Sequence, residues 1–156
     1  MGREKERKRM HIGTTRFDNK TWGENETWRK TNNWEGCIYG VPGKLPENVR
    51  KTDVIYVIEM NNERNEIMGI GRVKNNHCRE RCRLYSDPNY NRYIYRGKKR
   101  VDKGGMLDKE CVEILEKLLF KGKAHMKRGQ GITRLRAKKV KKDWERISTY
   151  IKSLFD

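Results

Sequence analysis

The stretch "DVIYVIEMNNERNEIMGIGRV", residues 53–73, constrains the fold more than any other part of the chain. Val54, Ile55, Tyr56, Val57 and Ile58 are β-branched or aromatic and fill a run of strand length. "NNERN" is a turn by composition, and "EIMGIGRV" returns as an antiparallel partner. Gly69 and Gly71 alternate, so they share one face of the second strand. Glycines placed like this mark tight curvature at a barrel corner, or a place where another backbone comes close.

The rest of the chain is read outward from this hairpin. With 156 residues it suits one domain with a real core; a second domain would leave each part too little to bury. Met1 to Met10 alternates bases with Glu4 and Glu6 and has no apolar face, so it reads as a disordered basic arm before a single domain over residues 11–156. "HIGTTRF" has the composition of a short strand. "DNKTWGENETWRKTNNWEG" is polar, and its Asn, Asp and Thr suit a loop with one or two short helical turns. "HCRERCRLYSDPNYN" is a polar excursion ending in a turn at Asp87, Pro88 and Asn89, and "RYIYRGKKRV" reads as a further basic strand pair. Asp108 is placed as the N-cap of a helix whose core face is Val112, Leu115, Leu118 and Leu119, with Gly122 as its stop. "GITRLR" is a last short strand. "KKDWERISTYIKSLF" is a terminal helix with Trp144, Ile147, Ile151 and Leu154 on one side. No internal repeat or linker interrupts this α+β order.

Charge decides the expected partner. The chain carries 38 Lys plus Arg against 21 Asp plus Glu, a formal charge of +17. Such an excess repels itself in a compact fold, and a polyanion is the natural reason to keep it. The concentration is greatest in "KGKAHMKRGQGITRLRAKKVKK", residues 121–142, which has ten bases and no acid. Lysines and arginines neutralise phosphates and release counterions, while Gly122, Gly129 and Gly131 allow backbone N–H groups close to a phosphate. Lys121, Lys123, Lys127, Arg128, Arg134 and Arg136 are the expected contacts. "NYNRYIYRGKKR" mixes rings with bases, as surfaces that stack bases and grip backbone do. Arg96, Lys98 and Arg100 join the contact set; Tyr93 and Tyr95 share one strand face, and Arg92, Ile94 and Arg96 the other. RNA and DNA fit equally. A membrane partner is not expected, since no stretch reaches the ~20 apolar residues of a spanning helix and the first ten residues lack an apolar signal core.

Trp34 to Val73 carries a family resemblance. "WEGCIYGVPGKLP", "KTDVIYVIEM" and "EIMGIGRV" stand where EVE and ASCH domains have a "W-G-x-x" strand, an apolar strand after a "GD"-like turn, and a "GIVGIARV"-like strand. Thr52-Asp53 takes the place of the usual Gly-Asp. On this pattern the chain resembles the PUA-like superfold, which includes the PUA, ASCH, EVE and YTH domains. The resemblance implies a small β-barrel decorated with helices that binds RNA or DNA, and, from EVE and YTH members, an aromatic cage for a modified base. Trp22, Trp28 and Trp34 lie in the segments from which such cages are drawn; one or two of them plugging a barrel end is the other reading. The chain also resembles small basic proteins of large DNA viruses. That resemblance implies a rival role in virion assembly, with the basic surface packed against acidic proteins or genome.

Chemistry beyond binding finds few residues. His77, Cys78 and Cys82 raise a zinc question, but a structural site needs four ligands. Cys37, Cys111, His11 and His125 form no second knuckle, so no metal or cofactor is expected. There is no phosphate-binding P-loop, deaminase signature or nucleophile elbow, and no catalytic residue is named. Asp53 and Glu59 flank a strand, where a strand end and an exposed face account for them. Four scattered cysteines without a signal segment place the chain in a reducing setting: cytoplasm, nucleus or virion rather than the secreted space.

Overall fold

The computed structural model describes residues 10–156. The basic arm, apart from Met10, lies outside the described residues. The central hairpin forms as its sequence dictates: β3 (Val54–Asn61) pairs antiparallel with β4 (Glu66–Lys74), with Ile58 opposite Ile70. In the turn, the Asn61 side chain accepts from the Glu63 and Arg64 N–H groups, and Asn65 takes the left-handed conformation at φ 53°. These are the tasks that asparagine performs readily in turns.

β1 (Met10–Phe17) runs parallel to β3 on its other side. A parallel pair needs a crossover, and here it contains α1 (Asn19–Thr31) and β2 (Cys37–Val41). The thirteen-residue α1 replaces the loop with short helical turns expected from composition. It lacks an apolar stripe but is fixed at its start by a reciprocal cap: Asp18 Oδ1 accepts from Thr21 N, and Asp18 N donates to Thr21 Oγ1. Midway, buried Asn25 donates to Ile38 O and to the Tyr85 hydroxyl. Polar anchoring therefore does what hydrophobic periodicity usually does.

The expected strand pair around residues 92–101 also resolves differently. β5 (Tyr93–Gly97) pairs with β2, and β6 (Lys99–Asp102) pairs with β4, so the two consecutive strands belong to different sheets. The step occurs at Gly97, where a Cβ would stand 1.8 Å from Arg72 O. Only glycine lets the chain cross β4 that closely.

The five-stranded sheet has the order β6-β4-β3-β1-β7, with β7 the two-residue strand Thr133–Arg134, and the second sheet is β2-β5. Among the described residues, the ladders form these two sheets and do not close into a barrel. α2 (Lys109–Phe120), the short α3 (Ala137–Val140) and α4 (Trp144–Ser153) complete the α+β fold. Asp108 caps α2 through Cys111 N, as expected, and Gly122 follows the helix end at φ 78°.

Each face of the large sheet has its own core. Ile12, Ile58 and Ile70 pack with Leu115, Leu119, Ile147 and Ile151 under α2 and α4. On the opposite face Ile55, Val57 and Val73 meet Ile38, Tyr39, Ile94 and Tyr95 of the small sheet. Each large aliphatic side chain so buried stabilises the fold by about 1.5–3 kcal/mol.

A candidate nucleic-acid interface along the first strand

The basic run is fixed to the edge of the large sheet. After α2, Met126 N donates to Leu119 O and the Met126 side chain is buried. Lys127 O then accepts from Asn62 Nδ2 at 2.8 Å and from Arg16 Nη1 at 3.4 Å. These bonds hold the run at the C-terminal ends of β1 and β3. From there it turns back along β1, with Thr133 and Arg134 opposite Thr14 and Gly13. Lys121, Lys123, Arg128, Arg134 and Arg136 are exposed, and Lys127 is half-buried. Among the described residues, none of these six cations takes part in an ion pair with a carboxylate.

Where the run passes the end of β1, a cleft of about 410 Å³ opens between β1, the start of α1 and the loop over residues 85–90. Arg16, Lys20, Phe17, Tyr85, Tyr90 and Gly131 contribute to its walls. Three carboxylates also line it, each bonded to backbone: Asp18 to Thr21 N, Glu24 Oε2 to Ser86 N, and Asp87 Oδ1 to Asn89 N. The bond from Thr21 N holds the Asp18 carboxyl below its ordinary range. Glu24 Oε1 and Asn62 Oδ1 are buried and have no hydrogen-bond partner among the described residues. The 85–90 loop is positioned by Asn91, whose Oδ1 accepts from Leu84 N and Tyr85 N and whose Nδ2 donates to Tyr85 O. Burial raises the Tyr85 phenol well above its ordinary range, so its hydroxyl stays neutral.

The three tryptophans singled out from sequence do not meet. Trp22 packs edge-on against Phe17 at 5.2 Å, with the Arg29 and Arg100 guanidinium groups over its ring. Trp28 lines grooves beside Arg83. Trp34 donates its indole N–H to Cys37 O and lies under Arg96. Among the described residues, no ring contact joins any two of them, and the rings of the cleft are Phe17, Tyr85 and Tyr90. The signal for those was the Asp87-Pro88-Asn89 turn, which sets Tyr85 and Tyr90 on either side of it.

The second basic patch divides. Arg96 and Lys98 are exposed, with Arg96 Nε 3.3 Å from Cys78 Sγ. Arg100 does not face solvent as expected: its side chain is 7% exposed and clasps Glu59, with Nη2 to Oε1 at 2.7 Å and Nε to Oε2 at 3.0 Å. Tyr39 donates to Glu59 Oε2 at 2.6 Å. Burial, reinforced by the Glu59 charge, keeps the Tyr39 phenol well above its ordinary range. Gly69 and Gly71 face this network, and a Cβ on Gly71 would stand 2.1 Å from the Tyr39 hydroxyl.

Glu59 thus does not lie on an exposed face as expected, and Asp53, although it stands at a strand end as expected, is not at the surface. Both are fully buried and bonded, Asp53 to His11 Nε2 and Arg50 N. Cys37 and Cys111 are buried, Cys78 and Cys82 half-buried, and all four are free thiols. No family model, curated protein or solved structure matches the chain.

Proposed function

We propose that this chain is a nucleic-acid-binding protein of PUA-like architecture that grips a phosphate backbone along β1 and admits a base to the cleft at the end of that strand. The observation that carries the reading is the row of cations from Lys121 to Arg136, fixed by main-chain bonds and unpaired with any carboxylate among the described residues. Six such cations on a single strand would give a log–log salt slope of about −4. The parallel β1–β3 pair, its helical crossover and the glycine-bearing hairpin support the architecture.

The cleft adds stacking surface beside the charge. Tyr90 is the half-buried ring among its three aromatics, and base–aromatic stacking contributes about 1–3 kcal/mol per base. The test is a salt series with matched single- and double-stranded RNA and DNA, on the parent chain and on Tyr90→Ala. We expect a steep salt slope for every strand type and a Tyr90→Ala loss of roughly 5- to 150-fold confined to single strands. A slope with no loss in the variant leaves backbone binding alone, as an assembly role requires. No binding at low salt refutes the proposal.

A further inference from the structure

The other end of β1 carries a group of residues that backbone gripping does not explain. His11 is 8% exposed and Asp53 is completely buried. His11 Nε2 lies 2.8 Å from Asp53 Oδ2, and Arg134 Nη2 lies 2.7 Å from His11 Nδ1. A guanidinium has donors only and keeps its proton in proteins. Nδ1 is therefore the acceptor, Nε2 carries the hydrogen and donates to Asp53, and the imidazole is neutral. The same Asp53 oxygen accepts from Arg50 N at 3.0 Å. His11 and Arg134 open onto a groove of about 630 Å³ that Asn48, Arg136 and Trp144 also line. His11 and Arg134 also line a small pocket whose other walls include the apolar side chains of Leu45, Pro46, Val49, Ile55 and Ile132. Among the described residues, the charged side chains bonded to His11 are Asp53 and Arg134, with Arg136 on the same groove.

We propose that His11, Arg134 and Arg136 form a phosphate site in this groove, and that a phosphate oxygen binds there together with a proton on His11. Arg134 is exposed, and most of its five donors remain available beyond the one that meets His11. A phosphate that engages the guanidinium fork draws Arg134 off Nδ1. Left alone, Nδ1 would be a buried nitrogen without a partner. Protonated, it donates to the same phosphate, while Nε2–H keeps its bond to the Asp53 carboxylate, which stabilises the imidazolium. Before binding, Arg134 and Arg136 oppose a charge on His11; the bound anion offsets both. Binding therefore raises the proton affinity of His11, and by linkage a falling pH strengthens binding.

The inference rests on the nucleic-acid reading only for the source of the phosphate, and two probes separate them. A short oligothymidylate presents phosphodiesters, and sulfate is a free anion of matching shape; neither changes charge between about pH 5 and 8, the range in which histidine does. Calorimetry of the full chain in buffers of different ionisation enthalpy reads proton uptake. We expect uptake approaching one proton, and affinity that rises by up to about tenfold per pH unit on acidification. His11→Gln can still accept from Arg134 and donate to Asp53, so it should keep its melting temperature and lose the pH dependence. His77→Gln and His125→Gln should retain it. Sulfate binding with proton uptake, without oligothymidylate binding, supports the site and refutes the nucleic-acid source. Oligothymidylate binding without proton uptake, or uptake that survives His11→Gln, overturns the site and leaves the nucleic-acid reading standing. Failure of both probes to bind at any pH overturns the site.

Discussion

Replacing Arg100 with methionine tests whether the buried cation is a structural element rather than a ligand contact. Arg100 makes three contacts of 3.1 Å or less with Glu59, a carboxylate that is 1% exposed, and its guanidinium lies over Trp22. Methionine fills much of the space but leaves Glu59, among the described residues, with only the Tyr39 hydroxyl bond. Removing one partner of a buried pair costs about 3–5 kcal/mol, because the remaining charge stays desolvated. For a domain of this size each kcal/mol lowers the melting point by about 2–4 °C, so Arg100→Met should fall by roughly 6–20 °C. The double variant Glu59→Leu/Arg100→Met removes both charges and should recover most of that loss. Urea and thermal unfolding of the two single variants and the double give the coupling directly. Additive losses, or a single-variant loss under about 1 kcal/mol, would refute the buried-pair reasoning. Under conditions where it is folded, Arg100→Met should also keep the salt slope of nucleic-acid binding, whereas Arg136→Ala should lessen it by about 0.7–0.9.

Gly71→Ala places a methyl 2.1 Å from the Tyr39 hydroxyl and 2.5 Å from Cys37 Cβ, so overpacking should cost about 1–3 kcal/mol in urea unfolding. Burial pushes the Cys37 thiol up to about 12 and the Cys111 thiol up to about 11; a thiol reagent at neutral pH should therefore modify half-buried Cys78 and Cys82 first, with Cys37 and Cys111 following only on unfolding. Asp18→Ala removes the cap of α1 and should cost about 1 kcal/mol. The folded carboxyl of Asp18 lies below the ordinary value of 3.8, so the cap's contribution is complete above that value and is lost as pH falls through the folded one. The difference between parent and variant in melting temperature should narrow only in acid.

The hairpin was legible because its signal is local: apolar residues at strand spacing around a turn that asparagines build. The α2 and α4 helices were legible for the same reason, with Leu115, Leu119, Ile147 and Ile151 at helical spacing and fully buried. α1 was not, because what holds it is a cap and Asn25, whose partners Ile38 and Tyr85 lie 13 and 60 residues away. Glu59 was expected on an exposed face, and the burial of Asp53 at its strand end was missed, because carboxylates are seldom buried unless paired. Their partners, His11 and Arg100, stand 42 and 41 residues distant. The split of residues 92–101 between two sheets depends on the close approach of Gly97 to Arg72, which no local pattern announces.

The charge of +17 becomes directional because the acids are committed elsewhere. Glu66 pairs with Arg64 and Lys103, and Asp108 and Glu110 pair with Arg146. Glu116 accepts from Ile67 N, Glu63 from Asn19, and Glu59 is sealed beneath Arg100. These bonds cluster on the hairpin tip, the α2–α4 side and the space between the sheets. The run from Lys121 to Arg136, which pairs with β1 at Thr133 and Arg134, takes none of them. A sequence total reports how much positive charge the chain carries; the hydrogen-bond partners of its carboxylates determine where that charge remains uncompensated. Because Debye screening at physiological salt reaches only about 8 Å, the acids that bear on β1 are the near ones, Asp18, Glu24 and Asp87 in the cleft and Asp53 against His11, and each of these already accepts from a donor of its own. Because the cations of the run make no ion pair with a carboxylate among the described residues, single charge removals along it should act on binding with little effect on stability, while removal of Arg100 should do the reverse.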